Sequence, residues 1–257
     1  VVAATLERVT TDESIETRTA QPAASLPPRA VSLPHGTGIA PFTAVLWDLD
    51  GTISDSAAGI IDAMRRTYDT LRMPIPDNAT LRSYVGPPII DTFREQRLDD
   101  AIELTHALET YREIYNEEGL LASPQFPGVG DIIRELHAAG MPQSTATSKP
   151  EEAATRVLEA YGLASQFDFI TGATADESRS EKADVVAEAL ARLRGAGVDL
   201  SNVLMIGDRF YDVEGSGEHG VPATYVTWGY GRVGEEAGAV AVVTTPAELR
   251  SVLGLPH

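Results

Sequence analysis

The sequence predicts an α/β fold: a mostly parallel sheet flanked by helices, with an all-helical insertion. Three observations lead there. From Phe126-Pro127-Gly128 onward, short apolar runs alternate with amphipathic helical stretches, the pattern of parallel strands joined by helices. Between 57 and 124 the only periodicity is helical. The apolar run Ala44-Val45-Leu46-Trp47 precedes that block, so the first strand stands apart in sequence from the others. The expected division is therefore an α/β unit from 43–56 and 125–257, a helical unit at 57–124, and an extension at 1–42.

Residues 1–42 carry five prolines and little sustained periodicity, which predicts a disordered extension. Strand one is expected at about 43–49. A helix at 57–72 places Ile60, Ile61, Met64, Tyr68 and Leu71 on one face, with Ser54, Asp55 and Ser56 as candidate caps. A short helical piece at 79–84 leads into Val85-Gly86-Pro87-Pro88, then helices at about 89–97 and 99–117. The second has Leu104, Leu108, Tyr111 and Tyr115 at helical spacing and Asp99, Asp100 and Glu103 at its positive end. A helix through Val129, Ile132, Ile133 and Leu136 stops at Gly140. Met141–Thr147 reads as a short strand, weakened by Gln143 and Ser144. A helix at 150–161, a strand at Phe167–Thr171 and a helix at 182–194 follow. Val203–Ile206 is a buried strand, Val221–Val226 another, and Val240–Thr244 a last edge strand.

The chemistry concentrates where apolar runs end, because ligands of open α/β sheets bind outside the carboxyl ends of the strands. Strand one ends in Asp48-Leu49-Asp50-Gly51-Thr52. In a continued strand Asp48 and Asp50 would share a face. Two converging carboxylates suit a hard cation and a nucleophile paired with an acid or base. The next strand ends Thr147-Ser148-Lys149-Pro150-Glu151. Ser148-x-x-Glu151 fits a capping box, and a hydroxyl beside a helix N-terminus suits an anion. Strand four ends Gly207-Asp208-Arg209-Phe210-Tyr211-Asp212. With the first stretch it yields a cation site: Asp48 and Asp208 as direct ligands, Asp212 as ligand or holder of water. Mg²⁺ suits an all-oxygen set.

Of the 20 basic residues, only Lys149 and Lys182 are lysine. Lys182 opens a helix, where a cation is mildly disfavoured, so its presence argues for a role such as holding a phosphate oxygen. Lys149 carries the same signal more faintly.

Composition sets outer limits. The chain has 257 residues, 43% hydrophobic and 23% charged, enough for one large domain or two modest ones. A net charge of −18 argues against nucleic acid and anionic membranes as partners. There is no cysteine, which removes thiol chemistry and suits a reducing, cytoplasmic setting.

Taken together, the four stretches resemble the haloacid dehalogenase-like hydrolase superfamily over about 43–250, with a Rossmann-like core. Its motifs match in order at Asp48-Leu49-Asp50-Gly51-Thr52, Thr147, Lys182 and Gly207-Asp208 through Asp212. The helical insertion resembles the cap of the phosphoglycolate phosphatase and β-phosphoglucomutase branch. Val85-Gly86-Pro87-Pro88 falls at that branch's specificity loop. Ala146–Pro150 and Gly207-Asp208-Arg209 resemble the phosphoglycolate-phosphatase-like group.

The resemblance implies that Asp48 attacks phosphorus and Asp50 serves as acid and base. Thr147, Ser148 and Lys182 would bind phosphate. Asp48, Asp208, Asp212 and the Asp50 backbone carbonyl would hold Mg²⁺. The implied activity is hydrolysis of a small phosphorylated metabolite. A phosphoglucomutase-like transferase, a nucleotidase, a phosphotyrosine-specific enzyme and a non-catalytic module stand as alternatives. Val85, Gly86, Pro87 and Arg82, with Arg94 and Arg97, are candidate substrate contacts. Asp50 argues against carbon–halogen cleavage, and a cap without lysine argues against a phosphonatase. Val213-Glu214-Gly215-Ser216-Gly217 is glycine-rich for the helix expected after the fourth motif.

Overall fold

The computed structural model describes residues 42–95 and 101–256. The extension expected at 1–42 lies outside them, apart from Phe42, as do Arg97, Asp99 and Asp100. Among the described residues, no helix is long and apolar enough to cross a membrane.

Five parallel strands form the main sheet: β1 (Ala44–Trp47), β2 (Gln143–Thr145), β5 (Val203–Gly207), β6 (Ala223–Val226) and β7 (Ala241–Val243), in spatial order β2-β1-β5-β6-β7. The pleat sends alternate residues to opposite faces. On one face Val45, Trp47, Leu204 and Ile206 join a core with Ile132, Ile133 and Leu136 of α5 (Val129–Ala138), Leu158 of α6 (Glu151–Ala160) and Leu249 of α9 (Pro246–Val252). On the other, Ala44, Leu46, Val203 and Met205 pack with Val186 and Leu193 of α7 (Lys182–Gly195) and Val213 of α8 (Phe210–Gly217). Both faces are covered, so the central strands read as unbroken apolar runs.

Strand β2 looked too polar in sequence, and its hydrogen bonds explain why it holds. The buried Gln143 amide accepts from Trp47 Nε1 at 3.0 Å and donates to Ile133 O at 3.0 Å and Gln166 O at 3.2 Å. A buried amide with its partners supplied carries little penalty. The strand expected at Phe167–Thr171 is irregular instead. It forms a bridge from Phe169 to Ser144 and then β4 (Gly172–Ala173), which pairs with β3 (Thr147–Pro150). The cause is the Thr145 hydroxyl, which takes Thr171 N at 2.7 Å and gives to Thr171 O at 2.8 Å, displacing a regular ladder.

Among the described residues, four helices lie between β1 and α5: α1 (Ala57–Thr70), α2 (Asn78–Ser83), α3 (Ile89–Glu95) and α4 (Ala101–Ile114), the last followed by a π turn at Tyr115–Gly119. Tyr68, Phe93, Tyr111 and Tyr115 form an aromatic chain through this unit. Two local expectations are corrected, and a third, the helix after Asp208, holds despite its glycines. The N-cap residue Ser56 does not cap α1 with its side chain; the Ala57 N–H is taken instead by the Tyr230 hydroxyl at 3.0 Å. Ser148 does not cap α6, because the chain stays extended through Pro150 and the helix begins at Glu151; proline disfavours a helical conformation in the residue before it.

Candidate active site

The register of the sheet builds the site. Trp47 pairs with Ile206, so one step further Asp48 leaves β1 beside the end of β5, where Gly207 leads into Asp208. Asp48 N–H still donates to Ile206 O at 2.9 Å, which fixes its backbone. Gly51, at φ +88°, turns the chain away, and a Cβ there would overlap the Asp208 carboxylate. Asp212 stands in the first turn of α8 and accepts from Arg209 N at 3.0 Å, so it caps the helix with one oxygen. Its other oxygen lies 2.7 Å from Lys182 Nζ.

Lys182 enters from the start of α7. Its Nζ donates to Asp48 Oδ1 at 2.9 Å and to Ala146 O at 3.0 Å. Asp48, Lys182, Asp208 and Asp212 are all buried. Burial pushes the Asp48 carboxyl up to about 6, against the pull of Lys182 and with a further push from Asp212. Burial also lifts Asp208 well above the carboxylate range, helped by the charges of Asp48 and Asp212. For Lys182 burial opposes the charge, but Asp212 and Asp48 outweigh it, and the ammonium ends above its ordinary range.

Three carboxylates facing one ammonium leave excess negative charge in a buried place. One oxygen from each of Asp48, Asp208 and Asp212 lies within 4.8 Å of the other two. Asp212 Oδ1 is buried and, though close to Lys182, receives no well-aligned hydrogen bond. A hard divalent cation fits such an all-oxygen set and would satisfy that oxygen.

Asp50 behaves differently from Asp48. The strand ends at Trp47, and Asp50 instead bridges to Ser54. Its carboxylate lies outside the cation cluster and is gripped by Lys149 Nζ at 3.1 and 3.0 Å. Lys149 in turn donates to the Tyr115 hydroxyl at 2.8 Å. Asp50, Ser148 and Lys149 line a cavity of about 440 Å³ between the helices and the sheet edge, walled also by Tyr84, Tyr111 and Tyr115.

The expected phosphate group divides. Thr147 is buried and its hydroxyl accepts from Lys149 N at 3.2 Å, while Ser148 reaches the cavity. Of the loop residues, Gly86 and Pro87 line the cavity. Val85 is fully buried, and its carbonyl accepts from Arg209 Nη1. Arg82 lies outside the lining, with its guanidinium 5.9 Å from the Tyr230 ring centroid, and Arg94 pairs with Asp91 at 3.0 Å. Four arginines line the cavity, Arg112 from α4, Arg156 from α6, Arg179 from the loop before α7 and Arg192 from α7, and sequence reasoning missed them. Helical spacing assigned Tyr111 and Tyr115 to the core; the structure puts them on the cavity wall as well.

Comparison with known proteins identifies the family. The family model for haloacid dehalogenase-like hydrolases matches residues 45–226. Tyrosine-protein kinase PtkA of Mycobacterium tuberculosis is 38% identical over 215 residues, covering 82% of this chain and 72% of that one. Its solved structure superposes with a TM-score of 0.71 at 36% identity, over 83% of this chain and 98% of the other. A 5'-nucleotidase of Pseudomonas aeruginosa is 30% identical over 190 residues, 74% of this chain and 85% of that. A phosphoglycolate phosphatase of Rhodospirillum rubrum is 30% identical over 225 residues, 83% of this chain and 92% of that. On this evidence the chain belongs to the haloacid dehalogenase-like hydrolases and is an enzyme of their phosphatase type.

Proposed function

We propose that the protein is a Mg²⁺-dependent phosphatase that hydrolyses a small phosphomonoester through an aspartyl-phosphate on Asp48. One observation carries the reading. A buried carboxylate held by a lysine stands beside a three-carboxylate cation site, with a second aspartate two residues on at the floor of a cavity.

Asp48 needs no activating base, since a carboxyl near 6 is largely ionised at neutral pH. One of its oxygens attacks phosphorus opposite the leaving oxygen. As that bond forms, the bond from phosphorus to the leaving oxygen breaks, and Asp50 gives the departing oxygen its proton. Asp50 then takes a proton from water; the water oxygen attacks phosphorus, phosphate leaves, and Asp48 is restored. Lys182 holds the nucleophile in place, and Thr147 and Ser148 flank the phosphoryl position. When bound, Mg²⁺ would offset charge on the phosphoryl oxygens, held by Asp48, Asp208, Asp212 and the Asp50 carbonyl. The helices at 57–124 act as a cap on the core formed by 43–56 and 125–257. The lack of cysteine suits work in the cytoplasm.

A second reading rests on the similarity to PtkA, whose name gives a tyrosine kinase. The same covalent step could pass the phosphoryl group to a hydroxyl rather than to water. The test is phosphate release from a panel of alkyl, sugar, nucleoside and tyrosyl monophosphates, with Mg²⁺ and with chelator. Asp48→Asn should lose at least about 1,000-fold in kcat. Wild-type rates in that variant would remove Asp48 as nucleophile. Products phosphorylated on a hydroxyl, with no free phosphate, would favour the transfer reading.

A further inference from the structure

We infer that Lys149 is a positioning residue for Asp50, and that Tyr115 makes this positioning depend on the helical unit being seated on the core. The inference rests on the phosphatase reading, in which Asp50 moves the proton.

The chain contains only two lysines among 20 basic residues. Each grips one aspartate of the Asp48-x-Asp50 pair: Lys182 on Asp48 at 2.9 Å, Lys149 on both Asp50 oxygens at 3.0 and 3.1 Å. Both are compact point charges on flexible stems rather than planar forks. Lys149 is 7% exposed and Asp50 9%, so this contact is largely shielded although both residues line the cavity. An ion pair so placed is retained only with good geometry, because desolvation of both charges opposes it.

The third partner gives the contact its meaning. Lys149 and Asp50 belong to the core, on β3 and after β1. Tyr115 belongs to the helical unit, at the first residue of its π turn. Its hydroxyl takes Lys149 Nζ at 2.8 Å, and its ring centroid lies 4.7 Å from the same nitrogen. The ring is clamped on both sides. Tyr111 stacks on it at 5.6 Å and 10°, and Gly119 leaves room where a Cβ would come 2.6 Å from Tyr115 Cδ2. The π turn itself is closed by Leu120 N to Tyr115 O at 2.7 Å; such turns recur at functional sites. At its other end, Lys149 is held through its backbone N–H on Thr147 Oγ1 at 3.2 Å. Thus the orientation of Asp50 passes through one lysine to a residue that arrives only with the helices.

Proton delivery matters in proportion to how poor the leaving group is. An alkoxide needs the proton, and a nitrophenolate departs without it. Loss of acid catalysis therefore costs alkyl phosphates about 100-fold or more and nitrophenyl phosphate little. The experiment compares kcat/KM for an alkyl phosphate and for 4-nitrophenyl phosphate in wild type, Asp50→Asn, Lys149→Met, Tyr115→Phe and the Asp50→Asn/Lys149→Met double variant. Asp50→Asn sets the reference pattern. Lys149→Met should follow it, with a loss of about 100-fold on the alkyl ester and about threefold or less on the nitrophenyl ester. Tyr115→Phe, which removes one oxygen and keeps both charges, should give the same pattern at about tenfold, and covers the case in which Lys149→Met fails to fold. The double variant should be no worse than Asp50→Asn alone.

Equal losses on both esters, or additive losses in the double variant, would overturn the inference while leaving the phosphatase reading intact. No turnover by wild type, or no leaving-group preference in Asp50→Asn, would remove the reading and this inference with it.

Discussion

At the scale of single residues, the charges at the ends of β1 and β5 do not cancel. Asp48, Asp208 and Asp212 face Lys182 in a buried setting, and burial holds Asp48 at about 6 and Asp208 higher than usual. A carboxyl raised on folding contributes stability that is fully present below its unfolded value, about 4, and lost as pH rises through its folded value. For Asp48 that window is about 4 to 6, and the shift is worth on the order of 3 kcal/mol. Without divalent cation the melting temperature should therefore rise as pH falls from 8 to 5. The carboxylates held low by exposed hydrogen bonds, such as Asp176 at about 2, lose their contribution only at lower pH and leave that window clear. With Mg²⁺ the slope should flatten or reverse, because the cation requires the ionised forms and protons compete with it. A melting series in chelator and in Mg²⁺ checks this. Equal slopes in the two conditions would mean that the cluster does not hold the ion.

At the scale of elements, the helix after Asp208 shows why glycine content misled. Gly215 faces the root of α7, where an added Cβ would lie 2.9 Å from Lys182 Cβ and Cγ and from Ala183 N. The residue is kept small because two helices meet there, not because the helix is weak. Alanine would gain about 1 kcal/mol of helix propensity and push the stem of Lys182 away from Asp48 and Asp212. Gly215→Ala should change the melting temperature by a few degrees at most and lower kcat about tenfold or more. Unchanged kcat would show that Lys182 tolerates the displacement. The same contrast between local pattern and tertiary partner explains what the sequence made legible. The order of strands and helices was readable because the apolar runs and helical faces are strong and alternate. Three of the four chemical stretches were readable because each sits where such a run ends, and Lys182 because it is one of two lysines and opens a helix. The strand at 167–171 was misjudged because the Thr145 hydroxyl, 26 residues away, interrupts the ladder. Neither the missing cap at Ser148 nor the Tyr230 hydroxyl that closes α1, 173 residues distant, has a local signature. Lys149 stood out as a rare lysine within the Thr147–Glu151 stretch, and Tyr115 was legible as a helix-face residue but not as the partner of Lys149.

At the scale of the whole molecule, side chains tie the helices between β1 and α5 to the edge of the sheet. Besides Tyr115 to Lys149, two arginines strap them together. From the core, Arg209 donates to the Val85 carbonyl and pairs with Glu235 at 2.8 Å. From the helices, Arg112 donates to Ala175 O at 2.9 Å and pairs with Glu177 across the cavity mouth. The Arg112 side chain is 28% exposed and that of Glu177 9%, so part of this strap is screened by water. After that discount its loss is worth about 1 kcal/mol, a fivefold rise in the population with the helices unseated. Arg112→Ala should therefore speed amide exchange several-fold at both ends of the strap, residues 110–120 and 172–179. The amides of β1 and β5, buried in the sheet, should keep wild-type protection, since their opening follows global unfolding. The two segments must respond together, because a strap restrains both of its anchors. Faster exchange in 172–179 alone would mean that Arg112 merely stiffens that loop, and unchanged exchange in both would mean that Arg209 and Tyr115 hold the helices without it.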